Sequence, residues 1–413
     1  MINYEQFKLD NGLQVLVHED HTTSLAVVNI LYNVGSRDED EDKTGFAHLF
    51  EHLMFGGSAN IPSYDTPLQK VGGENNAFTS PDITNYYLTL PAANLETAFW
   101  LESDRMKSLS FDPKVLEVQR KVVIEEFKQR YLDQPFGDAW LKLRPLAYHS
   151  HPYKWATIGK DISHIEQASM ADVKEFFNRF YHPGNAVMVV AGDVSVTQVK
   201  SLCNKWFADI LAGPKNQRNL PIEPLQEEER LIEITAKVPV DAFYQVYHMS
   251  PRFGKTYHQA DLVSDILGRG KSSRLYQQLV KEKKLFSSIS AYVTGSLDPG
   301  LLVIQGHLSE GTSCRKGHQA VRDLIDEFLS VGVTAGELEK VKNQTESSLI
   351  FSEIALLNRA MDLAVAAVAG DPDYVNREPQ IIQNITEGEV MDMAQNVLRR
   401  ENSSTLYYLK ELA

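Results

Sequence analysis

A chain of 413 residues with 43% apolar and 23% charged side chains has an ordinary globular composition, and its length exceeds what one core usually organises, so two domains are expected. Its 41 basic against 55 acidic residues, a formal charge of −14, argue against nucleic acid or an anionic membrane surface and favour neutral or basic ligands. No apolar run reaches the roughly 18 residues that span a bilayer, and Cys203 and Cys314 alone make neither a disulfide framework nor a metal knuckle, so a metal would need histidine and carboxylate ligands.

The opening residues, MINYEQFKLDNG, lack the basic and apolar segments of a secretion signal. The chain as written reads as cytoplasmic, or as periplasmic if a signal has been removed. Asn11-Gly12 between two strand-like runs predicts a hairpin with a type I′ turn. A buried strand follows over 24–36, then a helix over 44–55 ended by Gly56-Gly57 and a short helix over 64–71. NNAFTS and TNYYLTLP read as neighbouring strands, and residues 92–109 and 112–134 have helical periodicity, the second with Pro113 in its first turn. Helix 170–180, strand 186–194 and helix 197–211 close this half.

Residues 212–228 are rich in proline, glycine and charge and read as a linker. Beyond them the order repeats: strands 230–236 and 242–249, helix 257–267, a glycine pair, helix 272–282, and at the end helix 387–400 and strand 404–412. The expected fold is therefore α+β with two homologous domains, 1–211 and 229–413, each a mostly antiparallel sheet packed with helices.

Within the helix at 44–55, His48, Glu51 and His52 stand as H-x-x-E-H. At about 100° per residue the two imidazoles lie about 40° apart and one turn along, so both can reach one ion, with Glu51 beside it. This is zinc-plus-general-base geometry, with room for a third protein ligand and an open position. Sliding the motif onto the second half by its glycines puts Ala260, Val263 and Ser264 at these places, so the fold manages this helix without titratable groups there. A third ligand is expected from helix 112–134, where Glu126 falls inside an apolar arc of Leu116, Val122, Val123 and Phe127 while Glu125 falls outside. A carboxylate facing a core needs pairing or coordination. Gln119 lies almost directly under Glu126.

HLFEH followed after 73 intervening residues by the second glutamate of RKVVIEE resembles the inverzincin pitrilysin family, the M16 peptidases. The resemblance extends through LDNGLQVLV, VGSRDE, NNAFTSPDITNYYLTLP, YHPGNAVMVVAGDV and SSRLYQQL, and the length is similar to the short branch that includes the mitochondrial processing peptidase. It implies a LuxS/MPP-like metallohydrolase fold, one Zn2+ per chain on His48, His52 and Glu126, Glu51 as the base, and peptide hydrolysis. It also implies a peptide substrate lying as an added strand on Asn76, Ala77, Phe78 and Thr79.

Two departures from the family pattern matter. Gln119 stands where many relatives have glutamate; its amide can still hydrogen-bond Glu126 from behind. Val280 and Ser287 stand where active relatives carry an Arg and a Tyr that bind the scissile carbonyl, so donors to the developing oxyanion are missing. A heterodimer with a homologous metal-free partner supplying that pair is the expectation, with a homodimer second. Arg274 and Tyr276 read as structural. The competing reading is a catalytically silent scaffold subunit.

Overall fold

The computed structural model describes residues 1–214 and 218–411. Residues 215–217 of the expected linker and Leu412 of the expected last strand lie outside the described residues. Two compact units are present: Met1–Phe127 with Trp155–Leu220 and Leu349–Glu378, and Lys128–Lys154 with Pro221–Ser348 and Pro379–Ala413. The contiguous division at 211 and 229 is thereby corrected. Each unit takes a helix from the other half of the sequence.

The first unit holds six strands, β1 (Glu5–Lys8), β2 (Gln14–Glu19), β3 (Leu25–Tyr32), β4 (Glu74–Thr79), β5 (Thr84–Pro91) and β6 (Ala186–Gly192), in the order β1-β2-β6-β3-β5-β4. The second holds β7 (Arg230–Ala236), β8 (Ala242–His248), β9 (Phe286–Val293), β10 (Leu301–Leu308) and β11 (Ser403–Lys410), in the order β7-β11-β8-β10-β9. Dropping β1 makes the two orders the same. In both, one pair is parallel, β2 with β6 and β7 with β11, and the remaining neighbours are antiparallel. The duplicated α+β architecture is present.

The borrowed helices explain the discontinuous units. Leu356–Val368 packs on β3 and β6 with Ala360, Leu363 and Ala364 fully buried, and Arg359 pairs with Asp20 at 2.9 Å. Ala139–Ala147 lies against β7, β8 and β11, with Leu143 in a core of Val246, Val303 and Leu406. A sheet with one open apolar face must cover it with an amphipathic element wherever the chain supplies one.

Local differences from the sequence expectation have physical causes. The first hairpin is not a type I′ turn, because Gly12 alone has positive φ, +94°. The Gly12 N–H donates to Leu9 O, and the Asn11 side chain is occupied donating to the carbonyls of Phe207 and Ile210. The α-helix predicted over 112–134 is α-helical over Pro113–Phe127 and continues as a π-helix over Lys128–Leu132; the helix predicted over 272–282 is likewise π-helical over Tyr276–Glu282. The linker is tied down on its described residues: Arg218 binds Asp38 and Asn33 in the first unit, and Glu223 accepts the backbone N–H groups of His149, Ser150 and His151 in the second.

Candidate active site

The motif helix runs Phe46–Leu53. Leu49, Phe50 and Leu53 are buried, Phe50 stacking on Phe176 and Tyr181 with ring centroids 4.9 and 5.0 Å away. This anchoring turns the other side of the helix, with His48, Glu51 and His52, toward the second helix of the site, Pro113–Phe127.

That second helix buries Leu116, Val123 and Phe127. Val122 is 43% exposed, so the apolar arc is narrower than its sequence suggests. Glu126 sits half-buried at the margin of the arc and Glu125 is exposed, as the choice between them requires. Gln119 is half-buried one heptad earlier on the same helix.

Glu126 Oε2 lies 3.7 Å from His48 Nε2 and 3.5 Å from His52 Nε2. One ligand atom from each of the three residues falls within 4.8 Å of the others, the sole such group of histidines, cysteines and carboxylates among the described residues. Four ligands at zinc bond lengths near 2.05 Å have tetrahedral edges on the order of 3.4 Å, so these donors are spaced for one ion. Two imidazoles and one carboxylate form a donor set of the kind zinc accepts at a site with an open position.

Glu51 stands beside this cluster, accepting a hydrogen bond from Thr79 Oγ1 at 2.5 Å. Thr79 ends β4, an edge strand with one unpaired side, on which Glu74, Asn76 and Phe78 are exposed and Asn75, Ala77 and Thr79 half-buried. The Ala77 N–H donates to the Asn76 side-chain oxygen at 2.8 Å. The structure thus brings Thr79 to Glu51 and leaves Asn76, Ala77 and Phe78 along the edge.

One group escaped the sequence reading. The motif helix is only eight residues long and begins after Gly45, whose φ of +88° and closeness to Ile158 O (2.7 Å from where a Cβ would sit) exclude a capping side chain. The cap comes from Glu39 instead: Oε2 accepts the Gly45 N–H at 2.9 Å and Oε1 the Ala47 N–H at 2.8 Å. Burial raises the Glu39 carboxyl pKa well above the usual carboxylate range, against the downward pull of the two N–H donors. The same segment, VGSRDE, ties to the β4–β5 turn through the buried pair Arg37–Asp82 at 2.9 Å. The signal available in the sequence was a helix starting at glycine, with no Ser, Thr, Asp or Asn at its N-cap.

In the second unit the counterpart helix is Tyr257–Gly268, where Ala260, Val263 and Ser264 are all fully buried. Val280 is half-buried and Ser287 exposed, its Oγ donating to His307 O. Arg274 pairs with Glu337 at 2.7 Å and lies over the Phe328 ring, a structural arrangement.

Known proteins share this fold. The insulinase (peptidase family M16) profile matches residues 14–138 and the peptidase M16 inactive domain profile residues 167–345. The zinc protease PqqE of Helicobacter pylori is 30% identical over 357 residues, 84% of this chain and 79% of its own. A crystal structure of a protease from Helicobacter pylori superposes with a TM-score of 0.93 at 27% identity, covering 99% of this chain and 100% of the other. The fold is also that of a peptidase M16 inactive domain from Pseudomonas fluorescens, with a TM-score of 0.90 at 19% identity over 100% and 99% of the two chains. With its duplicated sheets and a relative this similar over most of both lengths, the chain belongs to the M16 family of zinc proteases.

Proposed function

We propose that the chain is a zinc-dependent endopeptidase that hydrolyses peptides or unfolded segments. The observation that carries this reading is the convergence of His48, His52 and Glu126 with Glu51 alongside, itself bonded to the end of an open edge strand. His48, His52 and Glu126 would hold one zinc ion, and Gln119 would steady Glu126 from behind. Zinc held there supplies Lewis acidity, acidifying water and polarising a carbonyl. Glu51 takes the proton of the attacking water and returns it to the leaving amine. Asn76, Ala77, Phe78 and Thr79 receive the peptide as an added strand through backbone groups, giving affinity with little sequence demand. The incoming strand takes over the Ala77 N–H from the Asn76 side chain.

Val280 and Ser287 favour a second element of the reading: an aliphatic side chain and a short hydroxyl cannot replace an Arg/Tyr pair as donors to the oxyanion. A heterodimer in which a homologous metal-free chain supplies that pair follows, ahead of a homodimer. Glu51→Gln should keep one zinc per chain and lose hydrolysis by the active assembly. Undiminished hydrolysis by that variant would remove Glu51 from its role. If the parent chain binds zinc yet cleaves no peptide with its native partner bound, the scaffold-subunit reading replaces the enzyme.

A further inference from the structure

The second unit contains a cavity of about 240 Å³ between the helix Cys314–Val331 and the start of β11. Its walls are polar where a helix-on-sheet contact is normally apolar: Arg315, His318 and Arg322 come from the helix, Arg400 from the turn before β11, Tyr407 from β11 and Gln245 from β8. We propose that this cavity is a binding site for hydrogen phosphate, free or as the phosphate of a small monoester.

The charge is set by the arginines. Arg322 and Arg400 are braced by Asp326, at 2.6 and 3.1 Å, and Arg315 by Glu233 at 2.6 Å. Neither brace lines the cavity. A guanidinium has five N–H donors, and the contacts of Arg315 and Arg400 each occupy one edge, so most of their donors remain. Glu229 is the one carboxylate in the wall, 3.8 Å from His318. Three guanidiniums and one carboxylate face the cavity, with Asp326 and Glu233 balancing the arginines from behind, so the wall is rich in charged donors. Donors arriving from a helix, a turn and a strand suit a tetrahedral oxyanion better than a planar carboxylate.

The neutral groups add a further donor. Gln245 Nε2 lies 3.0 Å from His318 Nε2 and 3.1 Å from Thr405 Oγ1, and His318 Nδ1 lies 2.7 Å from the Tyr407 hydroxyl. Burial brings the His318 pKa down to about 4, with Arg322 and Arg400 adding to the effect, so the ring is neutral near pH 7. Amide N–H can only donate, so His318 Nε2 accepts, Nδ1 carries the proton and donates it to Tyr407 oxygen, and the Tyr407 O–H is left to donate elsewhere. At the other end Gln245 is 1% exposed and its Oε1 is sealed from the cavity. The chain of bonds therefore offers the cavity one donor, the Tyr407 O–H, and an oxygen of hydrogen phosphate accepts from it alongside the guanidinium donors.

Isothermal titration of the full chain carrying His48→Ala, which keeps phosphate off any metal at the catalytic site, tests this with inorganic phosphate at pH 7 and constant ionic strength. One saturable phosphate site per chain is expected. Arg315 and Arg400 have side chains 79% and 58% exposed, so the double variant Arg315→Gln/Arg400→Gln should fold with an unchanged phosphate-free Tm and lose at least tenfold in phosphate affinity. Tyr407→Phe should weaken phosphate several-fold. Non-saturating heats or unaltered binding by the double variant would overturn the proposal.

Discussion

The helix Phe46–Leu53 and its counterpart Tyr257–Gly268 occupy equivalent places in two sheets of the same strand order, yet they are built on different terms. The second runs twelve residues, buries Ala260, Val263 and Ser264 completely, and has no side-chain cap. The first runs eight residues, carries His48, Glu51 and His52 in those places, and has its first turn gripped by a carboxylate from another segment. A helix stabilised by apolar packing needs no special device at its end; one that gives up part of its packing surface to titratable groups does. The difference separates residues that make the fold from residues that make the site.

Exchanging the terms gives the largest expected effect. The triple variant His48→Ala, Glu51→Val, His52→Ser copies the counterpart helix into the first unit. It should fold with a far-ultraviolet spectrum like the parent's and a metal-free Tm no lower, while elemental analysis finds no zinc. Stoichiometric zinc in this variant would put the metal elsewhere in the chain.

Glu39 is the next comparison to break. Gln at this position keeps one acceptor for the N–H groups of Gly45 and Ala47 and turns an amide N–H toward the other, so the first turn loosens just ahead of His48. Residues that orient metal ligands from outside typically change metal affinity about 10–100-fold, and Glu39→Gln should weaken zinc by an amount in that range in a chelator competition. Glu39→Ala removes both acceptors and should also lower the stability of the metal-free chain by about 1–2 kcal/mol, the size of a lost helix cap. Metal affinity equal to the parent's in both variants would reduce Glu39 to an ordinary buried acid. In the second unit Arg274→Ala, which breaks the pair with Glu337, should cost about 1–2 kcal/mol in denaturant unfolding and leave zinc affinity alone.

How far these features could be read from sequence follows the range of the interactions. His48, His52 and Glu51 are legible because their relation is set by one helix repeat, and Glu126 because burial on its own helix separates it from Glu125. The duplication is legible through the repeated element pattern, while the strand order within each sheet is not. Glu39 was not, because nothing local says that a carboxylate seven residues before a helix will fold back onto its N–H groups. The helices Ala139–Ala147 and Leu356–Val368 lie in the units that a contiguous division does not give them, because which sheet face a helix covers depends on packing, not on position along the chain. The Asn11-Gly12 turn misled because a long-range demand, the carbonyls of Phe207 and Ile210, took the asparagine side chain.

The smallest expected effect compares the two units under acid. Asp172 in the first has its carboxyl pKa lowered to about 2, chiefly by the hydrogen bond from Lys43, and Glu337 in the second is lowered to about 2, chiefly by that from Arg274. Both lie below their unfolded values near 4. Each therefore adds stability that is fully present above about pH 4 and is lost as pH falls through the folded value. Calorimetric Tm should be level at mildly acidic pH and drop between about pH 4 and 2, with Asp172→Asn and Glu337→Gln each flattening part of that drop. Salt should tell the pairs apart: the Lys43 side chain is 56% exposed and Arg274 only 16%, and screening acts on the exposed pair first. Added salt near 0.5 M should erase the difference between the parent and Asp172→Asn while leaving most of that between the parent and Glu337→Gln. Equal sensitivity of both pairs to salt would mean that the guanidinium in the second unit is no better shielded than the ammonium in the first.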